Sequence, residues 1–202
     1  MLARVLSAAL LVPALLAAPR SPVPPVAAAP VTFAIDPVHS DVSFTIRHFV
    51  SRVRGKFSDV KGTVTATPGA WQDAVVDVTI GTASVSTDNA KRDAHLRSTD
   101  FFAADSFPAI TFRSTRVERT GNDAKVYGVL TIRGRAKPVV LDGHFSGLMS
   151  GAAGQKVGFE ASTTINRMDF GVSWNRAAEG GGAMLGDEVK VEISVEANSV
   201  KR

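Results

Sequence analysis

The four histidines are the residues of this sequence best suited to bind a metal or transfer protons: His39, His48, His95 and His144. No two of them have the His-x-His or His-x-x-x-His spacing that lets neighbouring imidazoles share one metal ion. The chain has no cysteine, so thiolate ligands and disulfide bonds are excluded. The sequence therefore predicts no metal site, and a site assembled from separate strands is left open.

Two further groups of charged residues could act in a site. Arg92, Asp93 and His95 lie close together on one short segment, where they could pin that segment by ion pairs or contact a ligand headgroup. Arg167 and Asp169 are predicted to form a buried or half-buried pair at a strand bend, or else to place a polar group at a cavity mouth.

Motifs of common enzymes are missing from the sequence. It contains no Gly-x-Ser-x-Gly elbow, and Gly180-Gly181-Gly182 lacks the Gly-Lys-Ser/Thr ending of a phosphate loop, which favours a flexible hairpin connection. His39 is predicted to be a turn residue and His144 an outward surface residue. We therefore expect no catalysis.

The elements that must position these residues are strands, because apolar residues alternate with polar ones throughout the chain after Thr32. Hardly any helix is available to cover about eight such strands, so their apolar faces must pack against one another in a barrel or a sandwich. Predicted strands contain residues 42–46, 60–66, 76–80 and 110–113, followed by Lys125–Ile132, Lys137–Met149, Lys156–Asn166 and Glu188–Ala197.

One segment breaks the alternation and predicts a short helix. Asn89 to Arg97 has no period of two, and Asp88 before it is a good N-cap residue. Asp88 and Arg92 are four positions apart, a spacing that favours an ion pair along a helix.

The chain opens with a predicted signal peptide, residues 1–28. Its apolar run from Val5 to Leu16 is too short to span a bilayer, and the small residues before position 29 predict cleavage after Ala28. Residues 29–31 are then expected to be a flexible N-terminus, and residues 32–202 to form one domain. This predicts a periplasmic or secreted protein that does not span the membrane.

Charge excludes one class of partner and suggests another. Without the leader the chain has 21 basic and 19 acidic residues, too even a balance for a dedicated nucleic-acid binder. Basic residues gather near presumed strand ends, where most are expected to be solvated and some could steer an anionic lipid or a membrane surface. These are Arg47, Arg52, Arg54 and Lys56; Arg113, Arg116 and Arg119; and Arg133, Arg135 and Lys137.

Seven motifs in a fixed order carry a family resemblance. Together they resemble the YceI-like family of exported polyisoprenoid-binding proteins, over essentially all of the chain after the leader. The motifs are Phe33–Ser40, Phe44–His48, Val53–Phe57, Arg92–Ser98 with Asp100–Phe102, Phe107–Phe112, Gly128–Gly134 and Ile165–Gly171.

The resemblance implies an all-β fold, an extended lipocalin-like, eight-stranded antiparallel β-barrel, here with a short helix at one end. It implies a cavity for a polyprenol, an isoprenoid quinone or a similar amphiphile, with no other cofactor required. A barrel of eight strands is near the size at which the interior leaves room for one slender ligand. Lipid transport, storage or stress-related lipid handling would follow, and a homodimer is left open.

Carried over to this sequence, the resemblance implies ligand contacts from residues that line the cavity and from a polar entrance. The entrance and headgroup candidates are His48, Arg92, Asp93 and His95. The alternative function, a periplasmic hydrolase or isoprenoid-modifying enzyme, would use the His and Asp residues of this group. The cavity candidates are Val42, Phe44, Ile46, Phe57, Val78, Ile80, Phe112, Leu141, Phe159 and Val191.

Overall fold

The computed structural model describes residues 28–152, 154–176 and 183–200. Most of the predicted leader and all of Gly180-Gly181-Gly182 lie outside the described residues. The strands are β1 (Val31–Ile35), β2 (Asp41–His48), β3 (Ser51–Phe57), β4 (Val60–Thr67), β5 (Ala70–Gly81), β6 (Val85–Ser86), β7 (Ala109–Thr120), β8 (Asp123–Ile132), β9 (Arg135–Gly151), β10 (Gly154–Asn166) and β11 (Leu185–Ser199). Helix α1 is Ala90–Arg97, and two 3-10 helices are Thr82–Ser84 and Arg167–Phe170.

These segments form one closed antiparallel barrel of eight strands. β1 and β2 are halves of one strand bent at residues 36–40, and β3 and β4 are halves of the next. Pairing then runs through β5, β7, β8, β9, β10 and β11, each next to its neighbour in the chain. β11 pairs with both β2 and β1, which closes the barrel and confirms the predicted fold.

The two ends of the barrel differ. The chain leaves the wall between β5 and β7 to form α1 and its flanking loops at one end, here called the mouth end. The mouth end comprises residues 47–54, 82–108, 131–137, 166–176 and 183–188. The opposite end, here called the far end, has the tight turns at residues 68–69 and 121–122.

Alternation of side chains explains why these sequences form a hollow wall. In β8, Val126 and Ile132 are buried inside the barrel, whereas Lys125 and Val129, at positions of the opposite parity, are exposed. The same period-two burial appears along the neighbouring strands. The apolar faces therefore meet in the barrel interior, as predicted.

The predicted helix is present, but its predicted cap is wrong. The N-cap is Asn89, whose side-chain oxygen accepts a hydrogen bond from the Arg92 backbone N–H at 3.0 Å. Asp88 instead has a positive φ of 57°, a conformation that Asp tolerates better than most residues, and it turns the chain into the helix. The Arg92 guanidinium donates hydrogen bonds to Thr87 instead of pairing with the Asp88 carboxylate.

The predicted partner of Arg167 is also wrong. Asp169 is exposed on the 3-10 helix, and Arg167 pairs with Asp187 at 3.2 Å. Asp187 is twenty positions away in sequence from Arg167. The short spacing that suggested Asp169 as the partner therefore could not point to Asp187.

Candidate ligand-binding cavity

The barrel interior contains two adjoining chambers. The mouth chamber has a volume of about 260 Å³ and the far chamber about 170 Å³. Four side chains line both and mark the narrow passage between them: Val42, Ile80, Leu130 and Val191. The chambers therefore form one elongated cavity along the barrel axis.

The far chamber is almost wholly apolar. Among its lining residues, only Arg119 and Thr163 have polar side-chain groups other than the Trp71 indole nitrogen. Its outer end is filled by aromatic contacts, with Trp71 5.0 Å from Phe145 and 5.9 Å from Phe33 between ring centroids. The Arg119 guanidinium lies over the Phe145 ring at 4.6 Å, a cation–π contact that covers this aromatic plug.

The mouth chamber carries most of the polar groups of the cavity. Its lining includes His48, Arg92, His95 and Arg167, and it includes no Asp or Glu. Most other lining residues are aliphatic or aromatic. Any polar group on a ligand would therefore meet hydrogen-bond donors at this end, whereas a ligand tail would meet hydrocarbon along the rest of the cavity.

Glycines let aromatic side chains lie flat against the barrel wall. A Cβ added at Gly55 would lie under 3.0 Å from the Phe44 ring, and one at Gly143 under 3.0 Å from the Phe159 ring. Gly128 receives the Phe112 ring in the same way. These positions need glycine because the ring occupies the space that a side chain would fill, and the cavity centre stays open.

Arg167 braces the mouth end from inside the structure. Only 4% of the residue is exposed. Its guanidinium donates to the backbone carbonyls of Val172, Trp174 and Gly186 at 2.6, 2.8 and 2.9 Å. With Asp187 as a fourth acceptor, the charge is satisfied, and the loop after the 3-10 helix is tied to the start of β11.

Asp93 anchors α1 and lies outside the lining of both chambers. Its carboxylate accepts hydrogen bonds from the backbone N–H and hydroxyl of Thr87 at 2.8 and 2.5 Å. Burial alone would raise the pKa of Asp93, but these bonds and the charges of Arg97 and Arg92 outweigh it and hold the pKa below its ordinary value. The predicted pinning of the helix is thus achieved through Thr87.

His95 faces the mouth chamber within an aromatic cluster. Its Nε2 lies 2.8 Å from an Asp100 carboxylate oxygen, and its ring meets Phe101 and Trp174 edge-on at 4.9 and 5.0 Å. Phe101 and Trp174 also contact each other at 5.2 Å. This cluster joins the loop after α1 to the loop before β11 and roofs the chamber.

The structure brings thirteen of the fourteen predicted ligand contacts onto the cavity lining, Asp93 being the exception. The mouth chamber takes Val42, Phe44, Ile46, His48, Phe57, Ile80, Arg92, His95 and Val191. The far chamber takes Val78, Phe112, Leu141 and Phe159 and shares Val42, Ile80 and Val191.

Several lining residues were missed by sequence reasoning. Val172 and Trp174 lie in a loop without alternation, and Phe170 ends the 3-10 helix before it, so no strand pattern pointed to them. Phe101 and Phe102 belong to one of the seven family motifs. Two adjacent aromatic residues after the predicted helix could have indicated that they line the cavity there.

A polar cluster lies on the barrel wall where β1 bends into β2. Asp36, His39 and Glu196 have ligand-type atoms within 4.8 Å of one another. The hydrogen bond from His39, helped by the Val38 N–H, lowers the pKa of Asp36 to about 2, and Glu196 pairs with Lys156. His39 is an exposed turn residue, as predicted, and His144 is likewise on the outer surface beside Asp123.

Within the described ranges, none of the helices has the length and hydropathy required to traverse a bilayer.

Comparison with known proteins identifies the family. Residues 33–197 match the YceI-like domain. A UPF0312 protein of Staphylococcus aureus is 38% identical over 169 residues, covering 81% of this chain and 95% of the relative. A Campylobacter jejuni YceI protein of known crystal structure is 34% identical, with a TM-score of 0.67 over 77% of this chain and 90% of that one.

A further solved structure shares the fold at low identity. It is a polyisoprenoid binding domain from Saccharophagus degradans implicated in plant cell wall breakdown, 14% identical, with a TM-score of 0.64. The alignment covers 84% of this chain and 99% of that domain. The matched domain spans the whole barrel and the S. aureus relative aligns along nearly its full length, so the chain belongs to the YceI-like family.

Proposed function

We propose that this protein holds a long-chain isoprenoid, such as a polyprenol or an isoprenoid quinone, or a similar amphiphile, inside its barrel. The observation that carries the proposal is the elongated cavity, whose two chambers of about 260 and 170 Å³ share four aliphatic side chains. Similarity to a polyisoprenoid binding domain supports the ligand class. The ligand itself would be the only non-protein component.

The distribution of polar groups sets the orientation of such a ligand. A headgroup placed in the mouth chamber would meet His48, Arg92 and His95. Placed in the far chamber, it would lose its hydration among apolar side chains, at a cost of about 1–3 kcal/mol for each unpaired polar group. The tail therefore enters first, and the headgroup stays beneath the aromatic roof.

Binding rather than catalysis is the function that these side chains favour. The Arg92 guanidinium is bonded to Thr87 and so already has a structural partner. A hydrolase that uses His48, His95 and Asp93 is less well supported because Asp93 is buried away from the cavity lining.

We also propose that the protein is exported. Cleavage of the predicted signal peptide after Ala28 would leave a mature protein that begins at Ala29, in the periplasm or outside the cell. N-terminal sequencing of the protein recovered from the periplasmic fraction and the culture medium tests this. A chain that retains Met1 and stays in the cytoplasm would contradict export without affecting the lipid proposal.

Native mass spectrometry of the purified full-length product, with organic extraction of bound material, tests the ligand. We expect a bound mass that dissociates on activation and an extract that contains an isoprenoid or similar amphiphile. Apoprotein should take up added polyprenol or quinone. A protein that carries no lipid and takes up none would overturn the proposal.

A pair of variants on β10 makes the test specific to the cavity. Ala161 is buried and lines the far chamber, so Ala161→Phe fills part of it. Thr164 on the same strand is exposed, so Thr164→Phe adds the same ring to the outside. Lipid uptake should fall in the first variant and stay unchanged in the second, with circular dichroism and thermal melts confirming that both are folded.

A further inference from the structure

The hairpin between β2 and β3 exposes two apolar residues at its tip. Phe49 is 41% exposed and Val50 is 99% exposed. Phe49 has a positive φ of 50°, where Asn or Gly would be the favoured residue of a tight hairpin. Polar turn residues would stabilise this hairpin better than Phe49 and Val50. These two apolar residues therefore indicate a role other than forming the turn.

This tip lies at the rim of the cavity. The Phe49 backbone N–H donates to the Met184 carbonyl at 2.9 Å, and the Phe49 ring contacts the His48 ring edge-on at 4.9 Å. His48 and Met184 both line the mouth chamber. Whatever surface the tip contacts is therefore next to the polar end of the cavity.

The mouth end, where the exposed tip lies, also carries the excess of positive charge. The mouth end has eleven Lys and Arg against seven Asp and Glu residues, whereas the rest of the described chain has eight against eleven. Arg47, Arg52 and Arg54 flank the exposed tip on β2 and β3 and are themselves exposed. A wide groove on the outer wall toward the far end is lined instead by six carboxylates, including Glu160 and Glu192.

We propose that the mouth end docks on an anionic lipid bilayer, with Phe49 and Val50 inserted at the level of the headgroups. An apolar wedge and a cluster of cations are the two weak signals that together give stable, reversible membrane association. The carboxylates of the outer-wall groove are then repelled from the same surface, which sets the orientation.

Two exposed residues at a hairpin tip fit a bilayer better than a protein partner. A stable protein interface buries about 1,200–2,000 Å² of total surface and about 20–30 residues a side, whereas this tip offers two apolar residues. Docked in this way, the cavity mouth faces the membrane. Transfer of a lipid between bilayer and barrel would rest on the proposed function, whereas docking itself does not.

Flotation of the mature protein, which begins at Ala29, with vesicles of phosphatidylcholine, with and without about one third phosphatidylglycerol, tests the docking. We expect binding to the anionic vesicles that weakens as salt is raised, and little binding to the neutral ones. Val50→Asp should reduce binding about tenfold. Val38→Asp is the matched control, because Val38 is 81% exposed on the side wall, at the bend between β1 and β2.

A second pair of variants tests the electrostatic part. Arg52→Gln at the mouth end should weaken binding about fivefold, whereas Lys125→Gln near the far end should not weaken it. Equal losses in the mouth-end variants and their controls would overturn the proposal, as would absence of binding to protein-free anionic vesicles. Lipid uptake by the same samples, measured by mass spectrometry, separates a failure of docking from a failure of the proposed function.

Discussion

Replacing Gly143 by Ala should narrow the far chamber without unfolding the barrel. A Cβ at this position would have three atoms of the Phe159 ring within 3.0 Å, whereas carbon atoms pack best at about 3.5–4.0 Å. The ring must therefore retreat by about 1.5–2 Å, and the open direction is toward the chamber that Phe159 lines. Because the ring is the end of a flexible side chain, the stability cost should stay within the usual range for overpacking, about 1–3 kcal/mol.

The effect on a bound chain should be larger. The far chamber, at about 170 Å³, has room for about five or six groups of water size, each about 30 Å³. A displaced ring would exclude about two methylene groups, each worth about 0.8 kcal/mol when buried. The expected loss is about 1.6 kcal/mol, or about 15-fold in Kd for a ligand long enough to reach this chamber.

Titration of the delipidated protein with a fluorescent polyprenol analogue would measure this loss. The control is Gly151→Ala, because a Cβ at Gly151 meets no atom within 4 Å. A short isoprenoid that fits within the mouth chamber should bind wild type and both variants alike. If Gly143→Ala bound the long analogue as tightly as wild type, the cavity would not hold its tail in the far chamber.

Three other predictions concern the passage, the mouth brace and the helix anchor. Val191→Trp should obstruct the passage, so that short isoprenoids still bind and long ones lose affinity in competition titrations. Arg167→Met should lower the free energy of unfolding by about 3–5 kcal/mol, measured by urea denaturation, because buried carbonyls lose their donor. Asp93→Asn should lower Tm at pH 7. Because the pKa of folded Asp93 is lowered, its contribution is present above about pH 4 and is lost as pH falls through the lowered value, so the difference in Tm should shrink there.

The lumen could be predicted from sequence because the side-chain period of a strand is local information. Once Val42, Phe44 and Ile46 share one face, every strand that pairs in register must add its own apolar face to the same interior. The family resemblance named Phe112, Leu141 and Phe159 as cavity residues, and their placement in the far chamber lining agrees with that prediction. The absence of enough helix to cover those faces left a barrel or a sandwich, and the family resemblance selected the barrel.

The remaining features depend on contacts between residues distant in sequence. Asp187 and the carbonyls that hold Arg167 belong to a loop and a strand start whose approach is set by barrel closure. Asp93 looked like a headgroup contact because its neighbours in sequence, Arg92 and His95, line the cavity. One residue of difference on a helix turns a side chain by about 100°, which directs Asp93 toward Thr87 instead.

The geometry implies that chain length, more than headgroup chemistry, determines which amphiphile binds best. The headgroup region uses donors that already serve the fold, such as Arg92 on Thr87, so a new hydrogen bond there gains little beyond the usual net value of about 1 kcal/mol. Each additional isoprene unit that enters the cavity buries several carbon atoms at about 0.8 kcal/mol per methylene equivalent. Affinity should therefore rise with tail length until the tail reaches the plug formed by Trp71 and Phe145, and then stop rising.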